Sequence, residues 1–329
     1  MPPKKGTVES LSNVIDHLYE PDRKKEFLKT MEAEQKFRDR VTTFSILAPH
    51  ERELQKDIGE MTRKELCDGL ADLGVSSYET LMLKVYHIHK YLEWYSEHIK
   101  PVPIHIYNIS WQDIDLAPVF HDELIQDLRA LDEDWPKRNP ANGDLYKPIF
   151  VLSWYGFGLQ EMCRLSRKEV AFRSDHVEIN ATDHCVRIDD PIAVRILGDY
   201  DSFTERPASG GAVRVRSNNS WFLYDAVRIL PDEAFKGDKQ VVPTTISSRI
   251  KAARFHQSKE VQRRYEIQSL RDAGIYNRCI EFENAKHRPV TDEEIRRITD
   301  KEIRDARRLQ AFRLSVQKYR EAFHLEPTW

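Results

Sequence analysis

Paired cysteines are missing from this sequence. Its four thiols, Cys67, Cys163, Cys185 and Cys279, stand far apart with no Cys-x-x-Cys pair. That excludes a disulfide framework and a zinc ribbon, and predicts reduced, buried side chains. No apolar run approaches the roughly 20 residues of a membrane span, and the opening Met1-Pro2-Pro3-Lys4-Lys5 lacks the apolar stretch of a signal peptide. The expectation is a cytoplasmic protein with no membrane partner. Glycine is scarce, at 12 in 329 residues, and no phosphate-cradling loop, dinucleotide fingerprint or nucleophile elbow occurs. Motifs alone therefore indicate neither a cofactor nor an enzyme active site. His87-Ile88-His89 is the most metal-like cluster, but residues two apart point to different sides of a helix and no carboxylate or cysteine stands at ligand spacing. No metal is expected.

What is present suits a globular chain. Hydrophobic residues at 40% and charged residues at 32% allow cores under a heavily charged surface and exclude a disordered or fibrous protein. A length of 329 residues predicts two domains. The net charge of -3 hides a partition along the chain. Residues 101–150 carry nine acids against four bases, whereas residues 249–278 carry eight bases (Arg249, Lys251, Arg254, Lys259, Arg263, Arg264, Arg271, Arg278) against three acids. The second segment can face a polyanion, although a charge run taken alone equally describes a solvated helix face.

Helix starts are well marked in the first hundred residues. Thr62-Arg63-Lys64-Glu65 and Ser76-Ser77-Tyr78-Glu79 read as capping boxes, each leading into apolar residues spaced by three and four. Before them, Asp22 to Arg40 reads as one helix around Phe27, Leu28, Met31 and Phe37. Lys100-Pro101-Val102-Pro103 breaks the last helix of this bundle. Farther on, the spacing of Leu124, Ile125, Leu128 and Leu131 suggests a helix, and two helical stretches meet around Gly156 and Gly158. A hairpin runs from Val177 to Ile188, and Asp190-Pro191 caps another helix. Val213-Arg214-Val215-Arg216 alternates like an edge strand with a basic outer face. Thr245 caps a basic helix, and Thr291-Asp292-Glu293-Glu294 opens a final helix carrying apolar residues to Phe323.

This order of elements, with Ser153-Trp154-Tyr155-Gly156-Phe157-Gly158-Leu159-Gln160-Glu161-Met162 and Ile267-Gln268-Ser269-Leu270-Arg271, resembles the tyrosine recombinases, or phage integrases. The resemblance implies a mainly α fold with a small β-sheet: a SAM-like helical core-binding domain over residues 1–105 and an α+β domain of the recombinase catalytic fold over residues 106–329. Gly156, Glu161, Met162, Leu165 and Glu169 fit the family's first motif, and Arg271 fills the arginine slot of its H-x-x-R box. The first arginine slot falls on Gly158 and the histidine slot on Gln268. In such enzymes two arginines hold the scissile phosphate, histidine and lysine move protons, and a tyrosine attacks phosphorus. Losing one positioned donor typically costs on the order of a hundredfold in rate, and glutamine cannot shuttle a proton near neutral pH. Tyr319 is the one candidate nucleophile near the end, and its place in an apolar series favours packing.

The chain is most similar in these respects to the integrase-like MrpR-type master repressors of SPβ-like temperate phages, a likeness that Lys24-Lys25-Glu26-Phe27-Leu28 and Glu53-Leu54-Gln55-Lys56-Asp57-Ile58 also carry. It implies a sequence-specific DNA-binding repressor that maintains lysogeny from the bacterial host cytoplasm and is not an enzyme. Double-stranded operator DNA is the expected partner, bound by a monomer or dimer, with an antirepressor protein from phage or host as a candidate second partner. Arg249, Lys251 and Arg254 are the expected central contacts, with Lys259, Arg263, Arg264 and Arg271 on the backbone. Ser76, Ser77, Thr80 and Lys84, near a helix N-terminus, suit phosphate oxygens. The alternatives are an active recombinase whose missing clamp is Arg164 or Arg167, and a protein-binding scaffold acting through the acidic middle.

Overall fold

The computed structural model describes residues 13–30, 34–72, 75, 77–103, 109–110, 113–114, 124, 146–181, 184–203, 205–207, 213–216, 220–226, 241–254, 265–299 and 306–327. The chain divides into two compact units, Met1–Ala117 and Pro118–Trp329. Among the described residues the architecture is mainly helical with two small antiparallel sheets. None of the described helices is long and apolar enough to cross a membrane.

In the first unit, α1 (Pro21–Lys29), α2 (Glu34–Leu54), α3 (Arg63–Ala71) and α4 (Tyr78–His98) form a helical bundle. The single helix expected over residues 22–40 is in fact two. The first ends at Lys29, and Thr30 beyond it folds its hydroxyl back onto the Phe27 carbonyl at 2.7 Å. The core is aromatic, with Phe27, Phe44, Tyr91 and Trp94 in mutual ring contact at centroid distances of 5.2–5.9 Å.

A charge is sealed into this core. Lys24 Nζ is fully buried and lies 2.9 Å from both Glu51 and Asp57, and 3.9 Å from the centroid of the Tyr91 ring. The Tyr91 hydroxyl donates to Asp57 at 2.9 Å. Burial raises the pKa of Glu51 against the pull of Lys24. For Asp57 burial acts in the same upward sense, but Lys24 and the Gly59 amide outweigh it and hold the carboxyl below its ordinary value. The His87 ring meets the Thr43 hydroxyl at 3.0 Å, and burial brings its pKa down to about 4, so the imidazole is neutral. It is a core histidine, and no group of three or more metal-ligating side chains occurs among the described residues.

The second unit is organised around α5 (Lys147–Trp154), whose Ile149, Phe150, Val151 and Leu152 have no exposed surface. It leads into the short α6 (Leu159–Arg164) and a sheet of β1 (Val170–Phe172), β2 (Val177–Ala181) and β3 (His184–Ile188). The expected hairpin is present, with Val177 opposite Ile188 and Ile179 opposite Val186. Asp190 caps α7 (Pro191–Asp201) by accepting from the Ile192 and Ala193 amides, both at 2.9 Å. A second sheet holds β4 (Glu205–Pro207), β5 (Val213–Val215) and β6 (Tyr224–Ala226). Here the edge-strand expectation fails, because β5 is the middle strand. Arg216 at its end turns inward to Asp201 at 2.6 Å and lies over the Tyr200 and Trp221 rings.

Among the described residues, the helices that follow are α8 (Pro243–Arg254), α9 (Ile267–Lys286), α10 (Asp292–Thr299) and α11 (Ala306–Ala322). The basic helix thus begins two residues before the expected cap Thr245, with proline in its first turn. The run expected as one final helix is described as α10 and α11, with residues 300–305 outside the described set. The helix expected around Leu124 to Leu131 also lies mostly outside it.

Three outcomes follow from these contacts. Lys24→Met leaves Glu51 buried without its cation and Asp57 with only Arg23 at 3.4 Å, and should cost about 3–5 kcal/mol in urea unfolding; a loss below about 1 kcal/mol would show that the bundle does not depend on Lys24. Gly274→Ala should unfold or strongly destabilise the second unit, since a Cβ there falls inside the contact radius of the Trp154 carbonyl oxygen. Glu65, hydrogen-bonded by Lys56 and the Thr62 amide, has its pKa drawn from 4.5 to about 2. Its contribution to stability is present above pH 4.5 and is lost as pH falls toward 2. Acid titration of Glu65→Gln should therefore show a shallower loss of the first unit's helical signal across that interval.

Candidate nucleic-acid interface

The turn from α5 to α6 is built from backbone chemistry. Gly156 has φ 99°, a conformation that glycine adopts without a Cβ penalty. The Gly156 amide bonds the Ser153 carbonyl and the Phe157 amide bonds the Leu152 carbonyl, both at 2.9 Å, the pairing of a Schellman C-cap with Phe157 buried beneath it. Gly158 then caps α6 without a side chain of its own. Its amide donates to the Glu161 carboxylate, which reaches back as the third helical residue.

Helix α9 braces this turn from the side. Arg271 Nε donates to the Gly156 carbonyl at 2.6 Å, and Arg278 Nη1 to the Trp154 carbonyl at 2.8 Å. Gly274, midway between them, lets the α9 backbone come against Trp154. Arg271 Nη2 also lies 3.6 Å from Glu161 Oε2, and this, not Asp272 or Glu266, is its described ionic partner. A Cβ built on Gly158 would stand 3.3 Å from Arg271 Nη1 and 2.9 Å from Glu161 Oε2. The two positions read as arginine slots are therefore neighbours, and a guanidinium occupies only one of them. Gln268 is exposed and donates to Asp272 at 2.7 Å. Tyr319 has no exposed surface and packs on the rings of Tyr276 and Phe323.

The expected DNA-contacting residues are placed unevenly. Arg249 lies on α8, but its Nη2 donates to the Leu223 carbonyl and its Nη1 is buried without a hydrogen-bond partner among the described residues. The guanidinium thus ties the helix to the segment before β6. Lys251 and Arg254 are on the same helix, with side chains outside the described set. Lys259, Arg263 and Arg264 lie outside the described residues, as does Ser76. The N-cap of α4 is Ser77, one residue later than the capping box predicted, and its Oγ accepts from the Thr80 amide and donates to the Thr80 hydroxyl. Lys84 is half-buried, and burial lowers its ammonium pKa against the opposing charge of Asp39. Arg164 is exposed, and Arg167 leans toward Asp201 at 3.5 Å; neither is the arginine that meets position 158.

Two residues that sequence reasoning passed over shape this region. Gly274 is an isolated glycine in a helical pattern, a signal of close approach by another backbone. Arg278 entered only as one of a charge run, and nothing local distinguishes an arginine that grips a carbonyl 124 residues away.

Comparison with known proteins bears on the first unit. Residues 18–97 match the family model described as MrpR, N-terminal core-binding domain. No curated protein matches the chain. A solved structure described as "Crystal structure of XerA recombinase" is similar at 14% identity and a TM-score of 0.36, spanning 97% of this chain and 100% of that one. The match to the MrpR model lies within the first unit and leaves the rest of the chain without a matching family model.

Proposed function

We propose that this protein is a sequence-specific, double-stranded DNA-binding repressor on an integrase-like frame that does not cut the DNA it holds. The observation that carries the reading is the absent side chain at Gly158 directly beside Arg271. One guanidinium can orient a phosphate, but the paired clamp and the proton shuttle of a recombinase are lost with Gly158 and Gln268. The buried Tyr319 is a poor nucleophile for an external phosphate. The match of residues 18–97 to the MrpR core-binding model supports the DNA-binding part of this reading.

Binding would draw its affinity from counterion release at phosphates. Lys251 and Arg254 on α8, together with Lys259, Arg263 and Arg264, supply the positive charge, and Arg271 adds a fork at the α5–α6 turn. Repression follows from occupying a promoter in the host cytoplasm, and relief from an antirepressor that competes for the same protein.

Gel shifts of operator-containing phage DNA across a salt series should show log affinity falling by roughly 0.9 per neutralised phosphate for each tenfold rise in salt. No shift even at low salt would remove the DNA-binding claim. With a nicked suicide substrate the expected result is no covalent adduct. An adduct that disappears in Tyr319→Phe would instead identify an active recombinase.

A further inference from the structure

The partners of Arg271 suggest a role for Glu161 beyond capping the start of a helix. Its carboxylate is held by the Gly158 amide, and Oε2 lies 3.6 Å from Arg271 Nη2. Both side chains are partly open to solvent, Arg271 at 13% and Glu161 at 26%. Arg271 Nε is committed to the Gly156 carbonyl, so the guanidinium cannot swing away and offers only its outer nitrogens. Nothing projects from position 158 to cover that edge. A carboxylate therefore sits beside the guanidinium that an anion arriving at this turn would meet.

We infer that Glu161 is an internal counter-ion that competes with a DNA phosphate for Arg271, and so weakens binding and lowers its salt sensitivity. This rests on the DNA-binding reading above. A fixed negative charge beside the fork repels a phosphate monoanion and already satisfies part of the guanidinium's charge. Replacing the carboxylate by an amide keeps an acceptor for the Gly158 amide and removes only the charge.

The test is a fluorescence-anisotropy titration of the full chain with a phage operator duplex, at several salt concentrations, for wild type, Glu161→Gln, Glu169→Gln and the pair Glu161→Gln with Arg271→Gln. Glu169 is the control: its carboxylate caps the Ser166 amide at 2.7 Å in the next turn, in the same manner. Glu161→Gln should bind about two- to fivefold more tightly, the range of a partly exposed ion pair, with a salt slope steeper by up to about 0.9. Glu169→Gln should change little, and the gain should vanish when Arg271 is also replaced. Equal effects at 161 and 169, no effect at 161, or a gain that persists without Arg271 would each overturn the inference while wild-type binding still stands. If wild type itself ignores the duplex, the DNA-binding reading falls and this inference with it. Thermal melts accompany each variant; should the double variant fail to fold, the contrast between positions 161 and 169 alone decides.

Discussion

The second unit depends on how closely α9 can approach the end of α5. An α-helix leaves its last carbonyls without partners, and α5 is so apolar that its end cannot be turned toward water. Arg271 and Arg278 meet two of the exposed oxygens in that stretch, at Gly156 and Trp154, and Gly274 removes the side chain that would hold the backbones apart. Each ingredient needs the others. A larger residue at 274 would push both guanidinium groups out of reach, and without the arginines the carbonyls would lie against an apolar helix face. The turn that carries Gly158 and Glu161 takes its position from this arrangement.

Charged heads turned inward recur through the molecule. Lys24 is closed into the aromatic core of the first unit between two carboxylates, Arg216 lies between Asp201 and two rings, and Arg249 reaches the Leu223 carbonyl. Such residues raise a count of positive charge without offering any of it to a ligand. In this protein an account of polyanion binding has to start from where each guanidinium points, because several of the most suggestive ones hold the fold together.

Local signals in the sequence were readable where both partners lie within a few residues. The Thr62–Glu65 and Thr291–Glu294 boxes, the Asp190 cap with Pro191 and the Val177–Ile188 hairpin all close over short spans, and each is present. The misreadings share a different character. Helix α1 ends at Lys29 although the apolar spacing continues, and two adjacent serines made the α4 cap ambiguous by one position. Alternation in Val213–Arg216 could not reveal a strand on either side, since alternation marks the two faces of a strand and not whether its edges are paired. The pairing of position 158 with Arg271 was legible only through the family resemblance, because 113 residues separate them, whereas the turning of Arg249 toward residue 223 had no sequence signal.

A brace that grips main-chain oxygens is blind to the side chains those oxygens belong to. Arg278 would hold the same carbonyl whatever amino acid stood at 154, whereas the carbonyl that Arg271 holds depends on the positive φ that glycine gives at 156. Neighbouring positions are correspondingly free to drift: a scaffold fastened in this way can exchange reactive groups for inert ones, or the reverse, while its architecture is inherited unchanged.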